Sequence, residues 1–374
     1  MVSKTLQPVS VAHPGETVSD YLDSFEWSQS DLSRRSGLTP KTISEICNGK
    51  APISPATSLA LERVFGRPAH FWLSLQSRFD EAQARQAEAL RSADWWQWAR
   101  RFPVSEMRKR GLLPAKEEKA SDISALLRFL GVSSPSSWSA VWRASSVSYR
   151  QTRRFSTNDH SVSAWVRLTE LEADAVEISA FDERRALSAI PQLRSNTRVA
   201  IDKALNNAKD ICANFGIAVV IVPAFPETGI SGSARWLGDK AILALSLRYR
   251  FDDQIWFTFF HELGHILKHR KRQAFILDNA EDNLTDGVVD PDMQAVEDEA
   301  NRFAADSLIP PAELKGFVSG GVFTNESIYN FADSMDVAPG IVVGRLQREG
   351  LLKPHQGNKL KQRAQWAYDK GDED

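Results

Sequence analysis

Cysteine is nearly absent. The chain has only two in 374 residues, Cys47 and Cys212, far apart in sequence. Two such thiols build neither a disulfide framework nor a cysteine metal cluster, so a reducing, cytoplasmic setting is expected. Long apolar runs are missing as well. No stretch approaches the roughly 20 apolar residues of a membrane-spanning helix, and Met1 to Pro14 lacks the apolar centre of a secretory signal. No membrane partner is therefore expected. An excess of one charge is also absent: 46 Lys and Arg stand against 48 Asp and Glu, a net charge of −2. That excludes a general polyanion binder and leaves room for one local DNA-facing surface. The length, 374 residues, predicts two or three domains with ample core.

What the chain does have is His261-Glu262-Leu263-Gly264-His265 inside an otherwise apolar run from Trp256 to Leu267. Burying two imidazoles and a carboxylate without partners costs several kcal/mol or forces pKa shifts. A divalent cation removes that conflict. Residues four apart on a helix lie about 40° apart around the axis and roughly 6 Å apart along it. His261 and His265 thus present two nitrogens to one point, as zinc ligands do. Glu262, about 100° around, is placed to take a proton from water rather than to ligate. Thr258, His261, Glu262 and His265 form a polar stripe on an apolar helix, which predicts a helix enclosed on most sides and open to a cleft on one. Gly264 is expected to let another backbone approach.

A catalytic zinc ion usually takes three protein ligands. His269 lies about 12 Å from His261 along the helix axis and is expected at the surface beside Lys268. The stronger candidate is on the helix predicted around 295–308, whose apolar face is Val296, Ala300, Phe303, Ala304, Ser307 and Leu308. Glu297 sits roughly 60° from the centre of that face, and Glu299 roughly 100° away on the other side. Glu297 is the predicted third ligand, Glu299 a solvated residue. Asn301, one turn after Glu297, is placed to orient a ligand.

The motif His261-Glu262-Leu263-Gly264-His265, followed by Glu297-x-Glu299-Ala300-Asn301-x-Phe303-Ala304-Ala305 and Leu308-Ile309-Pro310, resembles the ImmA/IrrE family of metallopeptidases. The resemblance covers residues 205–310 well and the rest of the tail loosely. It implies a thermolysin-like (gluzincin-type) set of two His and one Glu around Zn2+. It also implies a zincin-like α+β domain and cleavage of repressor or antitoxin-type transcription factors.

A second motif spans Ser28 to Lys50. Gly37 ends one helix in a left-handed cap. Thr39 caps the next, with Pro40 in its first turn. Leu32 and Leu38 are expected to pack with Ile43 and Ile46. This leaves Thr39, Lys41, Thr42 and Ser44 facing outward as a recognition helix requires, with Gln29 at the start of the first helix. Asn48-Gly49-Lys50 is a turn suited to phosphate. The segment resembles the lambda-repressor-like (XRE) helix-turn-helix and, with His13-Pro14-Gly15-Glu16 and Phe71-Trp72, the HigA-type antitoxins, over residues 11–85. The resemblance implies operator DNA as a partner. The first eighty-odd residues are not strongly basic, so affinity has to come from a homodimer on two half-sites.

The expected layout is multidomain: an all-α helix-turn-helix domain at 11–85, a helical middle region and linker at 86–200, a metallopeptidase domain at 201–320, and carboxy-terminal helices and tail at 321–374. Ala82 to Arg110 reads as helix, with Trp95, Trp96 and Trp98 packing between domains. Ile217–Val222 is a buried strand, and Gly229–Trp236 with Ala241–Ser246 a hairpin turning at Gly238-Asp239. An edge of that sheet is a place for an extended peptide. The function expected is a transcriptional regulator carrying a zinc endopeptidase. The alternative is a non-proteolytic antitoxin or repressor whose peptidase-like domain binds a toxin or senses a metal or ligand.

Overall fold

The computed structural model describes residues 11–115, 119–143, 158–269, 274–277 and 291–364. They divide into two compact units, with the boundary between Trp96 and Gln97.

The first unit is helical: α1 (Pro14–Ser24), α2 (Gln29–Ser36), α3 (Pro40–Cys47), α4 (Pro55–Phe65) and α5 (Ala69–Ser92). Its helix starts are written locally. The Ser28 hydroxyl accepts from the Asp31 backbone N–H while the Asp31 carboxylate accepts from that of Ser28, a reciprocal cap. Thr39 accepts from the Thr42 N–H at 3.1 Å, a cap of a kind worth about 1 kcal/mol. Between α2 and α3 the chain turns at Gly37, with φ +73°, a conformation that costs a residue with a Cβ but not glycine. Leu32, Ile43 and Ile46 are fully buried with Val18, Leu61 and Trp72, and Leu38 packs against them. Expected and observed packing agree here. A buried bond from the Ile53 N–H to Gln76 Oε1, 2.8 Å, ties the loop before α4 to α5.

The stretch 82–110, expected as one helix, is broken. After α5 come a tight turn at Ala93–Trp95, a short helix Trp96–Ala99 and another at Val104–Lys109. Pro103 precedes this last helix and cannot continue the one before it. Within the second unit the Trp98 ring packs on Phe102 and Trp138, with centroids 4.9 and 5.9 Å away. Of the segment expected as a linker, residues 116–118 lie outside the described residues.

The second unit is built on a four-stranded sheet in the order β1-β3-β2-β4. Its strands are β1 (Ile217–Ile221), β2 (Ile230–Leu237), β3 (Lys240–Leu245) and β4 (Ala274–Leu277). β2 and β3 form the expected hairpin, closing at Leu237 and Lys240. β1 runs parallel to β3, and β4 antiparallel to β2. Alternation along the strands assigns two buried faces. Ile217, Val219, Ala241, Leu243 and Leu245 belong to the main core with Trp256, Phe259, Phe260 and Leu263 of the motif helix Asp252–Lys268. Ala218, Val220, Ile242 and Ala244 are buried on the opposite face. There the helix Asp159–Asp174 packs, its Trp165 ring N–H donating to the Val222 carbonyl at 2.8 Å.

The helix Pro291–Leu308 lies along the motif helix. Residues on both sides of 201–320 join the same core: Ala186 and Leu193 before it, and Ile328, Ala332, Ile341, Val342, Val343 and Leu346 of the carboxy-terminal helices after it. The motif helix is therefore enclosed by the sheet, by Pro291–Leu308 and by Pro339–Arg348.

Candidate functional site

Thirteen apolar and polar residues of the motif helix are buried, including His261, Glu262 and His265 at 2%, 0% and 1% exposure. A helix with this much apolar surface is fixed by burial, and that fixes the direction of its two histidines. Their Nε2 atoms lie 2.9 Å apart. Glu297, on the neighbouring helix, places Oε2 3.2 Å from His261 Nε2 and Oε1 3.5 Å from His265 Nε2. The three side chains offer ligand atoms all within 4.8 Å of one another. Zn–N bonds of about 2.0–2.1 Å meeting at a tetrahedral angle set two nitrogens about 3.3 Å apart, so the cluster has the dimensions of a zinc site.

The electrostatics match. Burial pushes the His265 ring toward its neutral form, against the pull of Glu297. Burial also opposes the charge on Glu297, but the neighbouring His261 and His265 rings outweigh it and hold the carboxyl at about 2. Neutral imidazole beside an ionised carboxylate is the protonation state in which these groups ligate zinc. Of the two acidic candidates, Glu297 faces the histidines with 20% of its side chain exposed, whereas Glu299 is half exposed.

The remaining ring nitrogens are held from outside the cluster. His261 Nδ1 lies 2.9 Å from Asn301 Oδ1. His265 Nδ1 lies 3.3 Å from His269 Nδ1, and His269 Nε2 lies 3.1 Å from Glu299 Oε2. The expectation for His269 is overturned: its side chain is 9% exposed, not a surface group. The axial distance keeps it from His261, but at the helix end the ring folds back one turn onto His265. Gly264 also differs from expectation, since a Cβ there would meet the Phe303 side chain at 2.9 Å rather than another backbone.

Sequence reasoning missed Gly232 on β2. A Cβ at that position would stand 2.7 Å from Thr258 Cγ2 and 2.8 Å from Glu262 Oε1. The strand passes so close over the helix that only glycine leaves room for the Glu262 carboxylate. A glycine inside a predicted strand was the available signal.

In the first unit, α3 buries Ile43 and Ile46 and turns the rest outward. Thr39, Lys41, Asn48 and Lys50 are exposed, as is Gln29 at the first turn of α2; Thr42 and Ser44 are half-buried. Lys41 Nζ lies 3.8 Å from Glu45. The Asn48 amide donates to the Ser44 carbonyl at 2.7 Å. The predicted contact residues lie at the start of α3, along it and in the turn after it, with Gln29 on the preceding helix. Among the described residues no helix is long and apolar enough to cross a membrane.

Residues 19–72 match the family model described as helix-turn-helix, and residues 213–345 that described as an IrrE N-terminal-like domain, a peptidase family. Virulence-associated protein I of Dichelobacter nodosus is 35% identical over 75 residues, covering 20% of this chain and 69% of its own length. Virulence-associated protein A' of the same organism is 30% identical over 86 residues, covering 23% and 75%. Among solved structures, a candidate antidote protein of a plasmid maintenance system from Nostoc punctiforme is 30% identical, covers 21% of this chain and 87% of that one, and has a TM-score of 0.21. A HigA-family addiction module antidote protein from Coxiella burnetii is 27% identical, with coverages of 22% and 92% and a TM-score of 0.22.

Proposed function

Because the chain belongs to the helix-turn-helix family at its amino-terminal end and to the IrrE N-terminal-like peptidase family over residues 213–345, we propose that it is a DNA-binding regulator carrying a zinc-dependent endopeptidase. The observation that carries the peptidase reading is a fully buried Glu262 next to His261 and His265, which converge with Glu297 on one point. A site that only held a metal for structure has no need of a carboxylate in that position.

His261, His265 and Glu297 would hold the ion, which supplies Lewis acidity toward a carbonyl and lowers the pKa of water. Every other step belongs to the chain. Glu262 accepts the proton of the attacking water and returns it to the leaving amine nitrogen. Gly232 keeps the space that its carboxylate needs. Asn301 holds the His261 ring. β4, the edge strand beyond β2, offers main-chain pairing to an extended segment of substrate. The substrate class is a repressor or antitoxin-type protein, and residues 11–85 supply the DNA-binding half of the regulator.

Glu262→Gln keeps size and hydrogen bonding but accepts no proton. It is expected to leave metal content and folding intact and to lower proteolysis by about 10²–10⁴-fold. The test follows candidate repressor and antitoxin proteins by mass in cells that carry wild type or the variant, with and without DNA damage. Fragments seen only with wild type support the peptidase. A full regulatory response from Glu262→Gln, with no fragments in either strain, replaces this reading with that of a binding module.

A further inference from the structure

The two histidines of the cluster are held in different ways. His261 Nδ1 faces a single amide oxygen, that of Asn301, at 2.9 Å. His265 Nδ1 faces a second imidazole, which is itself held by a carboxylate. We propose that His269 and Glu299 form a positioning pair that fixes the tautomer and orientation of His265, so that its Nε2 is presented to the metal. The proposal rests on the zinc reading above.

The Glu299 carboxylate only accepts hydrogen bonds, so His269 Nε2, 3.1 Å away, carries the proton of that ring. His269 Nδ1 is then a lone pair, pointed at His265 Nδ1 from 3.3 Å. It accepts the Nδ1–H of His265, which leaves the His265 Nε2 lone pair bare. That Nε2 is the atom 2.9 Å from His261 Nε2 and 3.5 Å from Glu297 Oε1. The chain of contacts thus selects the tautomer that ligation requires.

Position on the fold supports the assignment. His269 caps the motif helix: its backbone N–H bonds the His265 carbonyl at 2.9 Å, and at φ −121°, ψ 48° the chain leaves the helix. Its ring is thereby brought under the ring one turn earlier, with centroids 5.3 Å apart. Glu299 comes from the same helix as Glu297 and Asn301. Three residues at alternate positions of that helix therefore serve the cluster: one as ligand, one through His261 and one through His269.

The test is metal affinity of the full chain, measured by chelator competition with Zn2+, together with the visible spectrum of the Co2+-loaded protein. His269→Ala is expected to weaken Zn2+ binding by about 10–100-fold, with one ion per chain at saturation and a shifted Co2+ spectrum. Glu299→Gln, a change at a half-exposed position, should weaken it less. The two changes together should equal His269→Ala alone, because Glu299 acts only through His269. His269→Gln, which restores an acceptor oxygen as Asn301 supplies for His261, should recover most of the affinity and the wild-type spectrum. Wild-type affinity and spectrum in His269→Ala overturn the pair. So does loss of the ion in Glu299→Gln with full affinity in His269→Ala, which would make Glu299 a ligand. A wild-type chain that takes up no Zn2+ instead removes the zinc reading, and this pair with it.

Discussion

Glu297 and Glu299 stand one residue apart on the same helix and face different surroundings. Glu297 reaches both histidine rings, while Glu299 reaches His269. Glu297→Ala is therefore expected to abolish stoichiometric zinc in the purified protein. Glu299→Ala should keep one ion per chain at saturation and bind it more weakly. Metal analysis after dialysis separates the two, and the reverse pattern would show that the wrong carboxylate was assigned. The convergence of His261, His265 and Glu297, with Asn301 beside His261, was legible in the sequence because motif spacing and helical periodicity give the direction of each side chain relative to an apolar face. His269 was not, because its role depends on a ring folding back where the helix ends. Periodicity does not describe a residue outside the regular helix.

The motif helix carries one more buried acid. Asp252, in its first turn, is 0% exposed. Its Oδ1 accepts the Asp253 N–H at 3.0 Å. Gly340 of the carboxy-terminal helix Pro339–Arg348 packs directly on this carboxyl, where a Cβ would collide with Oδ1. Burial, reinforced by the Asp253 charge and opposed by backbone hydrogen bonds and by Lys361, pushes the Asp252 carboxyl from 3.8 up to about 7. The folded value lies above the unfolded one. Stability from the protonated form is therefore fully present below about pH 4 and lost as the pH rises through about 7. Asp252→Asn has no charge to bury. Its stability relative to wild type should rise between pH 4 and pH 8, by on the order of 2–4 kcal/mol for a shift of this size. Urea melts of the second unit at the two ends of that range measure it, and a difference that does not vary with pH would contradict it. Elements defined by local chemistry were readable in advance: the cap at Thr39, the Gly37 turn, and the hairpin at Gly238-Asp239. β4 was not, because it exists only through pairing with β2, distant in sequence, which no local pattern records.

At the scale of the whole chain, a helix-turn-helix unit and a unit carrying the His261, His265 and Glu297 cluster share one polypeptide whose net charge is −2. No general attraction to DNA follows from that balance, so binding has to be local and specific. The outward surface of α3 and its following turn carries Thr39, Lys41, Thr42, Ser44, Asn48 and Lys50, with Gln29 on α2. One such surface makes few phosphate contacts, so the proposed form on DNA is a homodimer with half-sites about 34 Å apart. Footprinting upstream of its own gene should then give two protected half-sites one helical turn apart. Lys41→Ala and Thr42→Ala, at positions expected to meet base edges, should each cost about 1–3 kcal/mol on the specific site and less on unrelated DNA. Lys50→Ala, at a phosphate position, should weaken all sequences alike and reduce the slope of log K against log salt by about 1 per half-site. Glu262→Gln lies in the other unit and should give the wild-type footprint. If Lys41→Ala and Thr42→Ala leave discrimination between operator and random DNA unchanged, α3 is not the recognition helix. The exposed residues of the first unit would then be a surface for a protein partner.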